Sequence, residues 1–225
     1  MNHEATLRQL DELISSRTIL NHPFYQAWEQ GKLTRDQLST YAKNYYPHVA
    51  SFPGYLRAAI DAASDGSVRA ELERNLADEL SNPAPHNELW LNFAEGLGLD
   101  RQDTAARPAT PATVQTVATF QRLMHGTSEG ALTALYAYES QQPEVSRKKL
   151  EGLQKFYGVT STKGLSYFEV HAEKDVEHRE GERRALARCL RNGASPDAVL
   201  KSAQDALQAY WGLLDGICEE AGIHC

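Results

Sequence analysis

Residues 162–192 read TKGLSYFEVHAEKDVEHREGERRALARCLRN. They contain the pattern His171-x3-Asp175-x2-His178. An α-helix turns by about 100° per residue, so steps of four and three residues keep the three side chains within roughly 60° of one another. Two imidazoles and a carboxylate then share one face and can converge on metal ions. Tyr167 extends the same stripe one turn earlier. Taken alone, the triplet also fits a solvated polar face, because Glu169, Glu173, Lys174, Glu177, Arg179 and Glu180 surround it. Gly193 punctuates the end of this helix.

Outward from this helix, the chain reads as all-α. Leu7, Leu10, Leu13 and Ile14 form an apolar stripe at helical spacing. A short helix is expected near His22–Gln30, ended by Gly31. Thr34-Arg35-Asp36-Gln37 is a capping-box pattern. The helix it opens runs towards Ala63 with Pro47 and Pro53 inside, so kinks or a break are predicted. Helices follow over 67–80 and 86–97, on either side of Asn82-Pro83-Ala84-Pro85. Residues 100–113 read as a surface loop. Further helices are expected over 114–125, 128–157 with Pro143 as an interruption, and 196–221. The expectation is a single domain over residues 1–225, built from about eight helices around one core.

Composition narrows the function. The chain has 225 residues, 41% hydrophobic and 24% charged, with a net charge of −7 and a pI of about 5.6. Arg147-Lys148-Lys149 and Arg183-Arg184 are the densest basic clusters, and both sit among acids. Nucleic-acid binding is therefore disfavoured. No run approaches the ~20 apolar residues of a membrane span, and the segment MNHEATLRQLDELI lacks an apolar signal core. Cys189, Cys218 and Cys225 give no disulfide framework or metal-ligand spacing. A reducing, cytoplasmic setting is expected.

Two further segments strengthen the metal reading. Glu79 ends one helix, and His86 follows a proline-broken corner that can turn both side chains to one cavity. Glu139 lies among Ala131, Leu132, Ala134, Leu135 and Ala137, where a carboxylate is costly to bury unless paired or metal-bound. Glu79, His86, Glu139, His171, Asp175 and His178 supply three carboxylates and three imidazoles. That mix suits two iron or manganese ions. Without thiolates, it argues against a structural zinc site. The Glu-x-x-His pairs of the ferritin-like bundle are missing. His3, His22, His48, His125 and His224 read as exposed, capping or packed histidines.

This ligand pattern resembles that of the dimetal oxidases built on the haem-oxygenase-like helical fold. Within them it is similar to the family of the chlamydial protein associating with death domains and its bacterial relatives. The likeness includes His22-Pro23-Phe24-Tyr25-Gln26-Ala27-Trp28, Tyr41-Ala42-Lys43-Asn44-Tyr45-Tyr46, Tyr136-Ala137-Tyr138-Glu139-Ser140-Gln141 and Tyr167-Phe168-Glu169-Val170-His171. It spans roughly residues 5–220. The chain departs from the chlamydial proteins at Leu80–Pro85, where they are more acidic and contain glycine.

The resemblance implies synthesis of 4-aminobenzoate for folate from the protein's own side chains. Tyr25 would supply the ring and Lys149 the amine, with Tyr41, Tyr138 and Tyr167 nearby for radical transfer or positioning. It implies two transition-metal ions, iron–iron or manganese–iron, with molecular oxygen and an external reductant. Lys148 is an equally available amine on sequence grounds. A helical enzyme fold does not carry over a death-domain partner; a homodimer is the default expectation. Competing readings are a dimetal oxygenase acting on a separate amine or fatty acid, a non-catalytic metal-binding helical protein, and a thiaminase-type hydrolase. The last expects a cysteine nucleophile, and the three cysteines lie away from these motifs.

Overall fold

Segments with apolar residues at helical spacing fold as helices in the computed structural model, which describes residues 3–81 and 83–225. Met1 and Asn2 of the N-terminal segment and Asn82 of the proline corner lie outside the described residues. The elements are α1 (His3–Ser16), α2 (Pro23–Glu29), α3 (Arg35–Ala62), α4 (Gly66–Ser81), α5 (His86–Gly96), α6 (Arg101–Ala106), α7 (Pro111–Met124), α8 (Ser128–Glu139), α9 (Gln142–Lys155), α10 (Thr162–Arg191) and α11 (Pro196–Ala221). A 3-10 turn, Ile19–Asn21, precedes α2. No strand occurs among the described residues. None of their helices is long and apolar enough to cross a membrane.

The all-α expectation holds, with more segments than the eight foreseen. Residues 100–113 are not an open loop: Asp100 caps α6 by accepting from the Asp103 N–H at 2.9 Å, and Thr104 is buried. The stretch 128–157 divides at Ser140–Gln141, and Pro143 falls in the first turn of α9, where its missing N–H costs nothing.

Helix α3 shows no break at Pro47 or Pro53. Its Thr34–Gln37 capping box forms with both reciprocal bonds. Tyr41, Tyr45, Val49, Phe52, Tyr55, Leu56 and Ala59 are buried along the helix and pin it on both sides of each proline. Packing over this length outweighs the lost backbone bonds.

The cysteines also depart from expectation. Cys218 and Cys225 are disulfide-bonded with Cα atoms 6.2 Å apart, while Cys189 is free. Gly222 adopts the left-handed conformation at φ +63° and turns the tail back. The Ile223 N–H then reaches the Cys218 carbonyl at 2.9 Å, and Cys225 comes alongside.

α10 packs against α9, α5, α8 and α4, and α11 packs against α8, α7 and α1. α3 lies against α7, α4 and α5. The polar site sits between α4, α5, α8 and α10, enclosed by this apolar frame.

Candidate metal centre

The proline corner places Glu79, in the last turn of α4, beside His86, the first residue of α5. His86 Nδ1 lies 2.9 Å from Glu79 Oε1, and His171 Nε2 on α10 lies 3.9 Å from the same oxygen. The two imidazoles meet edge to face at 4.6 Å. His171 Nδ1 donates to the Tyr167 carbonyl at 2.6 Å, leaving Nε2 facing the carboxylate. A backbone carbonyl on one ring nitrogen is a common way to orient a metal-binding histidine.

The second trio is Glu139, Asp175 and His178. His178 Nδ1 lies 3.5 Å from Glu139 Oε2 and 3.5 Å from Asp175 Oδ1. The other ring nitrogen of His178 contacts Asp78 Oδ2 at 3.1 Å. Asn75 donates to both oxygens of Glu139 at 3.0 Å. Within each trio the donor atoms lie within 4.8 Å of one another, and all six residues are buried. Glu79 and His171 of one trio, and Glu139 and Asp175 of the other, line one small cavity with Val49, Phe52, Tyr138 and Tyr167.

Electrostatics fit a cation-binding centre. Burial pushes the Glu79 carboxyl up, but His171 and His86 outweigh it and hold it at about 2. Burial pushes His178 down, and Asp175 and Glu139 reverse this, raising it to about 12. His171 is raised in the same way by Asp175 and Glu79 against the effect of burial. Asp175 Oδ2 is buried with no hydrogen-bond partner among the described residues. An orphaned carboxylate oxygen and a mixed set of oxygen and nitrogen donors suit two first-row ions.

A second cluster adjoins the centre. Lys149 on α9 is buried and its Nζ donates to the Tyr41 hydroxyl at 2.6 Å. Tyr41 in turn contacts the Tyr25 hydroxyl at 3.3 Å. Tyr25 sits in α2, whose first N–H is capped by His22 Nδ1 at 3.1 Å. Tyr45 and Tyr138 share a hydroxyl contact of 2.9 Å. Tyr210 on α11 interacts with both Tyr25 and Tyr45, linking the lysine side to the cavity side. Burial, first of all, lowers the Lys149 ammonium well below its ordinary range and raises the phenols of Tyr25, Tyr41, Tyr138 and Tyr167. Lys148, by contrast, faces outward and pairs with Glu29 at 3.6 Å.

Asn75, Asp78, Tyr45 and Tyr210 escaped the sequence reading. Asn75 had a signal, lying four residues before Glu79 on the buried stripe of α4. Asp78 had none, because its partner is a hundred residues away. Among the remaining histidines, His22 caps α2 and contacts Asp215 at 3.0 Å. It also lies near Cys218 and Cys225, whose sulfurs are bonded to each other.

Comparison with known proteins shows the family. A haem-oxygenase-like family model described as "Iron-containing redox enzyme" matches residues 39–211. The chain is 39% identical to the 4-aminobenzoate synthase of Chlamydia muridarum, over 97% of this chain and 93% of that protein. It is 36% identical to the 4-aminobenzoate synthase of Nitrosomonas europaea, over 94% and 90%. A TenA homologue from Pseudomonas syringae shares the fold at a TM-score of 0.80 and 17% identity, covering 96% of this chain and 93% of that one. The chain therefore belongs to the haem-oxygenase-like family of iron-containing redox enzymes that includes these 4-aminobenzoate synthases.

Proposed function

We propose that this protein forms 4-aminobenzoate in an oxygen-dependent reaction that takes the ring from Tyr25 and the nitrogen from Lys149. The observation that carries this reading is the buried Lys149 amine. Its Nζ lies 5.1 Å from the centre of the Tyr25 ring and 2.6 Å from the Tyr41 hydroxyl. No carboxylate pairs with it among the described residues, and burial alone depresses its pKa. Burial disfavours the ammonium form there, and the free amine that it favours has a lone pair for attack on an oxidised ring.

Glu79, His86 and His171 would hold one ion, and Glu139, Asp175 and His178 the other. Two such ions, when bound, supply oxygen activation driven by an external reductant. The protein's own residues do the rest. Asn75, Asp78 and the Tyr167 carbonyl orient the donors. Tyr138, Tyr45, Tyr210 and Tyr41 form a path of phenols from the cavity to Tyr25. Trp90 and Phe168, whose ring centres lie 5.9 and 5.3 Å from Nζ, keep water away from the amine.

The test is a single-turnover assay on protein loaded anaerobically with iron and manganese. Oxygen and reductant are added without any organic substrate, and 4-aminobenzoate is sought by mass spectrometry. At most one equivalent per chain, with a matching loss of protein mass, is the expected result. Protein that holds two metals and consumes oxygen yet makes none overturns the self-consuming route and points to a separate substrate.

A further inference from the structure

Helix α10 carries one more acid on the stripe that faces the centre. Glu182 follows His178 by four residues and Asp175 by seven. At about 100° per residue it lies within roughly 40° of both around the helix axis, one turn further on. Helical side chains lean toward the N-terminus of their own helix, so Glu182 leans back toward His178 and Asp175.

Glu182 is 1% exposed, and neither of its carboxylate oxygens has a hydrogen-bond partner among the described residues. Glu79 and Glu139, by comparison, are each held by side-chain partners. On the outer side, the Glu71 carboxylate lies over Gly181 and pairs with Arg74, which closes this end of the stripe. A buried carboxylate with both oxygens unpaired is costly, and it is relieved by a proton or by a cation. Burial first, and then the charge of Glu139, push the Glu182 carboxyl well above the usual carboxylate range, with Asp175 and Glu71 adding to the rise and His178 opposing it.

We propose that Glu182 is a seventh protein donor of the metal centre, turning onto the ion held by Glu139, Asp175 and His178; with no ion bound its oxygens stand outside the 4.8 Å cluster of those three residues. This inference rests on the metal centre described under the proposed function. It gives that half of the centre three carboxylates against one in the half built by Glu79, His86 and His171.

The experiment titrates manganese(II) into the full chain under anaerobic conditions, following free ion by electron paramagnetic resonance. The wild type, Glu182→Gln and Glu182→Leu are compared, with melting curves to establish folding. Two equivalents are expected for the wild type. Both variants are expected to lose at least about tenfold in affinity for one equivalent, with the other unchanged. Gln keeps the size and hydrogen-bonding capacity of a protonated Glu, so it separates a donor from a merely structural acid even where Leu fails to fold. Wild-type affinity for both equivalents in Glu182→Gln overturns the proposal and leaves the six-residue centre intact. A wild type that binds no metal overturns the centre itself, and this inference with it.

Discussion

Lys149 donates to the Tyr41 hydroxyl at 2.6 Å from within a ring of five aromatic side chains: Tyr25, Tyr41, Tyr45, Trp90 and Phe168. A buried amine without an acidic partner destabilises the fold, so its presence argues for a chemical use. Lys149→Met keeps the volume and removes the polar group. We expect it to abolish 4-aminobenzoate formation while raising stability by about 1–3 kcal/mol. Lys148→Ala is expected to leave product unchanged. Thermal melts and the single-turnover assay measure both effects, and normal yield from Lys149→Met would reject Lys149 as the donor.

Tyr25→Phe removes one hydroxyl from a fully buried phenol that contacts Tyr41. Product formation is expected to stop while two equivalents of metal still bind. A variant that keeps its yield shows that another tyrosine supplies the ring.

Asn75 and Asp78 orient Glu139 and His178 without belonging to either trio. Removing such partners lowers metal affinity by roughly 10–100-fold in comparable sites. Asn75→Ala and Asp78→Asn are therefore expected to weaken the Glu139–Asp175–His178 ion more than its neighbour. Competition with a calibrated chelator measures this, and unchanged affinity in both variants would remove their orienting role.

Gly152 on α9 faces Trp28, and a Cβ there would lie 2.6 Å from the indole Nε1. The same indole N–H donates to the Lys149 carbonyl at 3.4 Å. Gly152→Ala must push the indole or the helix aside, at a cost of about 1–3 kcal/mol, and shift Lys149 with it. Denaturant unfolding and the product assay should both register the change; wild-type behaviour in both would show that the helix yields freely.

His48 is buried and held at about 3, because burial disfavours its charged form. In the unfolded chain it titrates near 6.5. Its folded pKa is depressed, so the unfolded state takes the proton first as pH falls. Stability is then lost below pH 6.5, by about a factor of ten in the folding constant per pH unit. His22, also lowered by burial, adds to this slope. His48→Gln is expected to make the fall between pH 6.5 and 5 shallower by one proton's worth, and an unchanged slope would contradict the burial argument.

The face shared by His171, Asp175 and His178 was legible in the sequence, because it depends only on the pitch of one helix. The Thr34–Gln37 capping box and the corner between Glu79 and His86 were legible for the same local reason. Val145, Lys149, Gly152 and Leu153 also fall on one buried stripe of α9, so Lys149 had a signal that its neighbours Arg147 and Lys148 obscured. Tertiary structure alone decided the depth of Lys149, the continuity of α3 through two prolines, and the contact of Asp78 with His178. It also decided the pairing of Cys218 with Cys225 and the isolation of the Glu182 carboxylate. Spacing along a helix is set by its 3.6-residue turn, whereas burial and contact across helices depend on how distant segments pack against one another.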